Sequence, residues 1–412
     1  MPDAAACGSE SAVPAEADSW GASEPPQEVH PARRRVAQRI GWIETLFFMR
    51  KSLYKNGVAS GKRVESVVVI TVYSGDHALQ AGHVELIGGE LVPCYEKPER
   101  AEIVLARVRE VGLGEVVPPE PFGRKPLLRV HDGRFLDFLE TAWESWVCAH
   151  GEKDALPMNW AVRTLRQKVP RAIDGKLGYY CLDAATPITK GTWRAATAAA
   201  ETALTAASLI AGGARGQRSA FALTRPPGHH ASSDLYGGYC FLNNAAIAAQ
   251  SLLDGGAARV AIFDVDYHHG NGTQSIFYAR GDVLFVSIHG DPMDEFPYFL
   301  GYADETGEGK GEGANVNYPL PWGTEASAWL DALTEGAKRI SAFAPDALVV
   351  SLGLDTYKED PISHFLLASD DYLEIGRRIA RLDLPSVFVL EGGYAIAALG
   401  VNAVNVLSGF ES

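Results

Sequence analysis

Six short apolar runs restrict what this chain can fold into. They are "SVVVITVYS" (66–74), "SAFALTR" (219–225), "RVAIFDVD" (259–266), "VLFVSIHG" (283–290), "DALVVSLGLD" (346–355) and "PSVFVLEGG" (385–393). A strand with one wet face alternates apolar and polar residues, whereas a nearly unbroken run of Val, Ile, Leu and Phe reads as a strand covered on both faces. Helical stretches lie between them. "NNAAIAAQSLLD" (243–254) is one. "TEASAWLDALTEGAKRISAFA" (324–344) sets Trp329, Leu330, Leu333, Ala337 and Ile340 at helical spacing behind a Thr324 cap, and "SDDYLEIGRRIARL" (369–382) follows a Ser369 cap. Strand–helix–strand alternation predicts an α/β fold, a parallel sheet with helices on both faces.

The 412 residues are 47% hydrophobic and 21% charged, enough apolar material for a large core. No apolar stretch reaches the roughly 18 residues that a membrane span requires. The five cysteines, Cys7, Cys94, Cys148, Cys181 and Cys240, are scattered without a CxxC pair, which suits reduced thiols in a cytoplasmic protein. A net charge of -14 argues against nucleic acid and suits cationic ligands. Residues 1–32 are rich in Ala, Ser, Pro and Glu without an apolar period, and 33–63 turn basic. The basic stretch reads as a solvated helix or leader in preference to a membrane-surface or targeting element. Residues 1–65 are therefore expected to be a poorly ordered extension, and 66–412 the folded domain.

Polar residues collect just past the strand runs. His229 and His230 follow the second run through "RPPG", Asp264 and Asp266 end the third run with His268 just beyond it, and Asp355 ends the fifth. Gly392, Gly393 and Tyr394 follow the sixth. In a parallel sheet all carboxyl ends face one way and the loops beyond them form a crevice. Asp264, Asp266 and His268 stand at i, i+2 and i+4, so an extended backbone aims them to one side. Carboxylates on so apolar a strand point to a divalent cation that removes the cost of burying them, with Asp355 as third donor. Two carboxylates and one imidazole leave room for water and substrate. A plainer role for Asp264, capping the next turn, stays open. Pro226-Pro227-Gly228 makes the rigid loop that a catalytic base needs, and a phenol at Tyr394 suits a developing oxyanion. No GxSxG supports a serine nucleophile, and "GEGKGEG" (307–313) neither follows a strand nor opens a helix.

"RPPGHHA", "GGYCFLNNAAIAA", "DVDYHHGNGT", "LGLDTYKEDP" and "LEGGY", in this order, resemble the zinc-dependent histone deacetylase family of the arginase/deacetylase fold. The likeness is strongest to its bacterial acetylpolyamine amidohydrolase branch and runs from about Val67 to the C-terminus. It implies a three-layer αβα fold around a parallel sheet of about eight strands. It further implies zinc, or iron(II), on Asp266, His268 and Asp355. His230 would be the general base, His229 its electrostatic partner buttressed by Asp264, and Asn271 the residue orienting the second histidine. Tyr394 would polarise the acetyl carbonyl. Tyr239 and Phe296 would wall the acyl channel, with Gly238, Ile362 and a rim carboxylate, Asp174, as further substrate contacts. Potassium would sit near Asp264, Asp266, His268, Ser287 and Ile288. An insertion over residues 149–192, carrying Trp160, Leu165, Ile173, Tyr179 and Tyr180, would border the mouth in a homodimer; its plainer reading is a surface loop. The implied substrates are small cationic acetylated amines such as acetylputrescine, acetylcadaverine and acetylspermidine. An acetyl-lysine protein deacetylase and a non-catalytic acetyl-amine binder are the alternatives. A second acidic rim position of the branch falls on Ala185, with Asp183 only nearby, which favours a broader range of amines.

Overall fold

The computed structural model describes residues 69–162, 167–211 and 217–412; the expectations for residues 1–65 and for Leu165 lie outside them. The chain opens with β1 (Ile70–Val72) and a hairpin of β2 (Val84–Ile87) and β3 (Glu90–Pro93). Then come β4 (Val116–Val117), β5 (Ser219–Ala222), β6 (Val260–Asp264), β7 (Val283–Gly290), β8 (Asn315–Leu320), β9 (Ala347–Leu352) and β10 (Ser386–Leu390). Eight of these form one sheet in the order β4-β1-β5-β10-β9-β6-β7-β8. Every pairing in it is parallel.

Side chains alternate across the central strands and feed two separate cores. Ala220, Ala222, Val260, Ile262, Val349 and Val387 join one. It is completed by α2 (Gly133–His150), α3 (Ile173–Tyr180), α4 (Thr192–Ala211) and α5 (Asn244–Asp254), whereas α6 (Asn271–Phe277) opens beyond the end of β6. Phe221, Ala261, Phe263, Leu348, Val350 and Phe388 face the other core. There α1 (Glu99–Val111), α7 (Ala326–Phe343), α8 (Asp371–Ala380) and α9 (Ile396–Phe410) cover them. This is the three-layer αβα arrangement. Each fully buried Val, Leu, Ile or Phe contributes about 1.5–3 kcal/mol relative to exposure, so a strand with two covered faces is mostly apolar. The few polar residues inside these strands, such as Thr71, Ser287 and Ser351, are small or hydrogen-bonded exceptions, whereas carboxylates gather at the strand ends.

The interior strands fall inside the six apolar runs; the two edges do not. β4 is two residues long, and β8 ("NVNYPL") alternates buried with half-exposed residues and contains Pro319. Proline is tolerated on an edge, where its missing N–H breaks no ladder. Two expected caps are corrected. Thr324 donates its hydroxyl to Pro321 O at 2.6 Å, and α7 starts after Glu325. Ser369 lies one residue ahead of Asp370, the residue at the cap of α8. In both cases the turn before the helix takes up the expected cap.

His131, before α2, ties down the loop that follows the histidine pair. Its Nδ1 donates to Ser232 O (2.9 Å) and its Nε2 accepts from Asn243 N (3.0 Å), which fixes the neutral tautomer. Burial lowers its pKa to about 4. The folded value lies below the unfolded one, so its contribution is intact above about pH 6.5 and is lost as pH falls, because the unfolded chain protonates first. Between pH 7 and pH 5 the loss is about 2 kcal/mol. In urea titrations, the stability advantage of the native chain over His131→Gln should shrink by that amount; a constant difference would contradict it.

Candidate active site

The sheet order places β5, β10, β9, β6 and β7 side by side. The loops leaving their carboxyl ends therefore meet, and they carry His229 and His230, Tyr394, Asp355, then Asp266 and His268.

Donor atoms of Asp266, His268 and Asp355 lie within 4.8 Å of one another, all buried. The backbone aims them. Asp266 accepts from His268 N (2.9 Å) and Gly392 N (2.8 Å), and Asp355 accepts from Tyr267 N (2.8 Å). His268 Nδ1 stands 3.1 Å from Asp355 Oδ2 and 3.4 Å from Asp266 Oδ1. A Cβ on Gly392 would come within 2.4 Å of Asp355 Oδ2, so only glycine lets the tenth strand's loop pass over these carboxylates. Burial and the neighbouring Asp266 charge push Asp355 up to about 7. Two carboxylates this close resist joint ionisation unless a cation sits between them. The donor set and its outer hydrogen bonds fit an open divalent metal site.

The two histidines are held differently. His229 Nδ1 is 3.0 Å from Asp264 Oδ2, while Asp264 Oδ1 accepts from Asp266 N at 3.2 Å, so this carboxylate both orients a ring and closes a turn. His230 Nδ1 is 2.7 Å from Asn271 Oδ1 at the start of α6. Burial alone would lower His229, but the Asp266 and Asp264 carboxylates outweigh it and hold the ring up at about 10. Burial, then the positive His229 and His268, push His230 well below its usual value; the bond to Asn271 only partly opposes this. The two rings lie tilted with centres 4.0 Å apart, and the opposite shifts favour a cationic His229 beside a neutral His230, a pairing that separates electrostatic and base roles. His269 faces elsewhere, bonded to Gln274 at 3.0 Å and packed on His289.

A cavity of about 300 Å³ leads to this point. Its lining includes His230, His268, Tyr394, Tyr239, Phe296 and Ile362, together with Gly238. Phe296 stands edge-on to His230 at 5.0 Å and Tyr239 edge-on to Tyr394 at 5.6 Å. Gly238 has φ +56°, and a Cβ there would meet His230 Cδ2 at 2.2 Å. Asp183 and Glu295 are the acidic residues of the lining. Asp174 is not in that lining; on α3, it pairs with His150 at 2.9 Å. Ser287 lies opposite Asp264 across the β6–β7 pair, and Ile288 packs in the second core. In the insertion, Ile173 and Tyr180 are buried in the chain's own core and Tyr179 packs against it, while Trp160 is exposed.

Several supporting residues escaped the sequence reading. The buried Arg100 donates to Gly393 O and Glu391 O, both at 2.6 Å, and its guanidinium lies 4.6 Å from the centre of the Tyr394 ring. Glu96 joins it to Arg225, at 3.0 and 2.7 Å. Glu391 accepts from Gly228 N (2.6 Å) and His229 N (3.2 Å), which links the last strand to the histidine loop. Asp360 accepts from Tyr394 N at 2.7 Å. One signal was present: Arg100 shares the buried stripe of α1 with Val104 and Val108, an odd place for a charge. His229, Cys240 and Glu391 form a second buried donor group. There the Cys240 thiol donates to Gly238 O and Glu391 is bonded to backbone, so it buttresses the site.

Open metal donors, an unlike histidine pair and a phenol at the carboxyl edge of a parallel sheet define a metal-dependent hydrolase. The family described as "Histone deacetylase domain" matches residues 94–410, and the chain belongs to it. The chain is 59% identical over 343 residues to acetylpolyamine amidohydrolase 2 of Pseudomonas aeruginosa, covering 83% of this chain and 99% of that protein. It is 52% identical over 338 residues to the acetylpolyamine amidohydrolase of Mycoplana ramosa, covering 82% and 98%. A crystal structure of the acetylpolyamine aminohydrolase from Burkholderia pseudomallei superposes with a TM-score of 0.79 at 40% identity, covering 83% of this chain and 98% of that one. The chain is thus an amidohydrolase of the histone deacetylase family, acting on amide bonds.

Proposed function

We propose that this protein deacetylates small acetylated amines, among them acetylputrescine, acetylcadaverine and acetylspermidine, to the free amine and acetate. One observation carries the reading: the Asp266–His268–Asp355 cluster, the histidine pair and Tyr394 meet at a cavity of about 300 Å³ with aromatic walls. The names of the relatives point the same way.

Asp266, His268 and Asp355 would hold zinc, with iron(II) the alternative. When bound, such an ion polarises the acetyl carbonyl and acidifies water. The chain's own groups do the rest. Neutral His230, anchored through Nδ1 by Asn271, takes the proton of the attacking water as the C–O bond forms. It returns that proton to the amine nitrogen as the C–N bond breaks. The Tyr394 hydroxyl donates to the carbonyl oxygen as that oxygen gains charge. Cationic His229, paired with Asp264, offsets the same charge. Tyr239, Phe296, Gly238 and Ile362 would confine a slim acetamide chain. Potassium is proposed near Asp264, Asp266, His268, Ser287 and Ile288, supported by the Asp264–Ser287 register.

A homodimer through the insertion is supported by the exposed Met158, Trp160 and Val162, while the burial of Ile173 and Tyr180 removes them from such an interface. The pairing of Asp174 with His150 makes its rim role conditional on that partner's giving way. A cytoplasmic location is supported by the free thiols of the buried Cys94, Cys181 and Cys240; no described helix is long and apolar enough to cross a membrane. The test is acetate release from N-acetylputrescine against an acetylated histone peptide. A higher kcat/KM for the acetylated diamine is expected; equal or faster cleavage of the peptide would favour the protein deacetylase.

A further inference from the structure

We propose that Asp360 is a positioning residue for the Tyr394 hydroxyl, fixing the phenol through its backbone. This rests on the reading of Tyr394 as the oxyanion donor. Asp360 sits in the loop after β9 with only 7% of its surface exposed. Its Oδ2 accepts from Tyr394 N (2.7 Å) and Ala395 N (3.1 Å), and its Oδ1 from Ile362 N (3.2 Å). Among the described residues no lysine, arginine or histidine lies within ion-pair distance of it. A buried carboxylate with no cation in contact is costly and persists where its hydrogen bonds are worth that cost. Amide bonds to an ionised acceptor are roughly twice as strong as neutral ones.

The need for such a clamp is local. Tyr394 follows Gly392 and Gly393, the latter at φ +119°. Two glycines lower the stiffness of the segment, so its own sequence does not set where the phenol points. The structure grips this loop from two sides: Arg100 takes the carbonyls of Glu391 and Gly393, and Asp360 takes the amides of Tyr394 and Ala395. Fixing both amides fixes the direction of the Tyr394 Cα–Cβ bond. The third amide, that of Ile362, belongs to another cavity-lining residue. One carboxylate therefore joins the oxyanion donor and a wall of the channel into one unit. A purely structural role would predict a loss of stability with no dependence on the hydroxyl.

The test is a double-mutant cycle on the metal-loaded full chain, with kcat and KM for N-acetylputrescine, metal content and melting temperature measured for each variant. Asp360→Ala should lower kcat about ten- to a hundredfold, the scale of a displaced reacting group, with KM and metal stoichiometry retained. In a Tyr394→Phe background the same change should cost about twofold or less, because no hydroxyl remains to be misplaced. Asp360→Asn, which keeps the shape and one acceptor oxygen, should fall between and carries the same cycle if the alanine variant does not fold. Equal fold-losses in both backgrounds, or loss of the metal, would overturn the positioning role while leaving the deacetylase reading intact. A Tyr394→Phe variant with native kcat would instead overturn the reading of Tyr394 and this proposal with it.

Discussion

Replacing Asp355 with alanine is expected to abolish turnover and stoichiometric metal binding together. Asp355 is fully buried, 3.1 Å from the His268 ring, and burial with Asp266 beside it pushes it up to about 7. A cation held between the two carboxylates removes that penalty and keeps both ionised. With two donors left, the ion is lost, and with it several kcal/mol of stabilisation of the developing negative charge, about a thousandfold or more in kcat/KM. The fold should survive. The Tyr267 amide loses its acceptor, a cost of about 1–3 kcal/mol against a typical total stability of about 5–15 kcal/mol. A cooperative melt with no bound metal and no acetate release is the expected combination. Native turnover in Asp355→Ala would remove this residue from the metal site.

Tyr394→Phe is expected to keep the metal and most of the affinity for a hydroxamate, and to lose about a hundredfold or more in kcat. The ring is packed between Arg100 and Tyr239, so phenylalanine preserves those contacts and only the hydroxyl disappears. Burial raises the phenol's pKa well above its ordinary value, so it remains a proton donor throughout the working pH range. A donor used mainly as charge develops shows up in kcat and leaves KM nearly unchanged. Single-turnover rates separate this from slow product release. A kcat equal to that of the native protein would leave the oxyanion to other groups.

Much of this was legible in the sequence for a physical reason. A strand buried on both faces seldom carries a charged group before its end, so Asp264, Asp266, His268 and Asp355 stand out where the apolar runs stop. The edge strands β4 and β8 escaped because a half-covered strand has no such signature, and Pro319 argues against a strand unless the edge is known. Asp360 and Arg100 escaped because they act on the backbone of a loop far along the chain: Asp360 lies 34 residues from Tyr394, and Arg100 lies 293 from Gly393. Spacing carries no trace of such contacts. Asp174 shows the converse. The family resemblance implies a place on the channel rim for it, yet the packing of α3 beside α2 gives it His150 as a partner.

The most direct test of the account is metal content against acetate release from N-acetylputrescine in one preparation. Chelated protein should be inactive. Added zinc should restore activity in proportion to occupancy, reaching its maximum at about one equivalent per chain, as a single three-ligand site requires. Full activity in protein that elemental analysis shows to be free of transition metal would contradict the central claim.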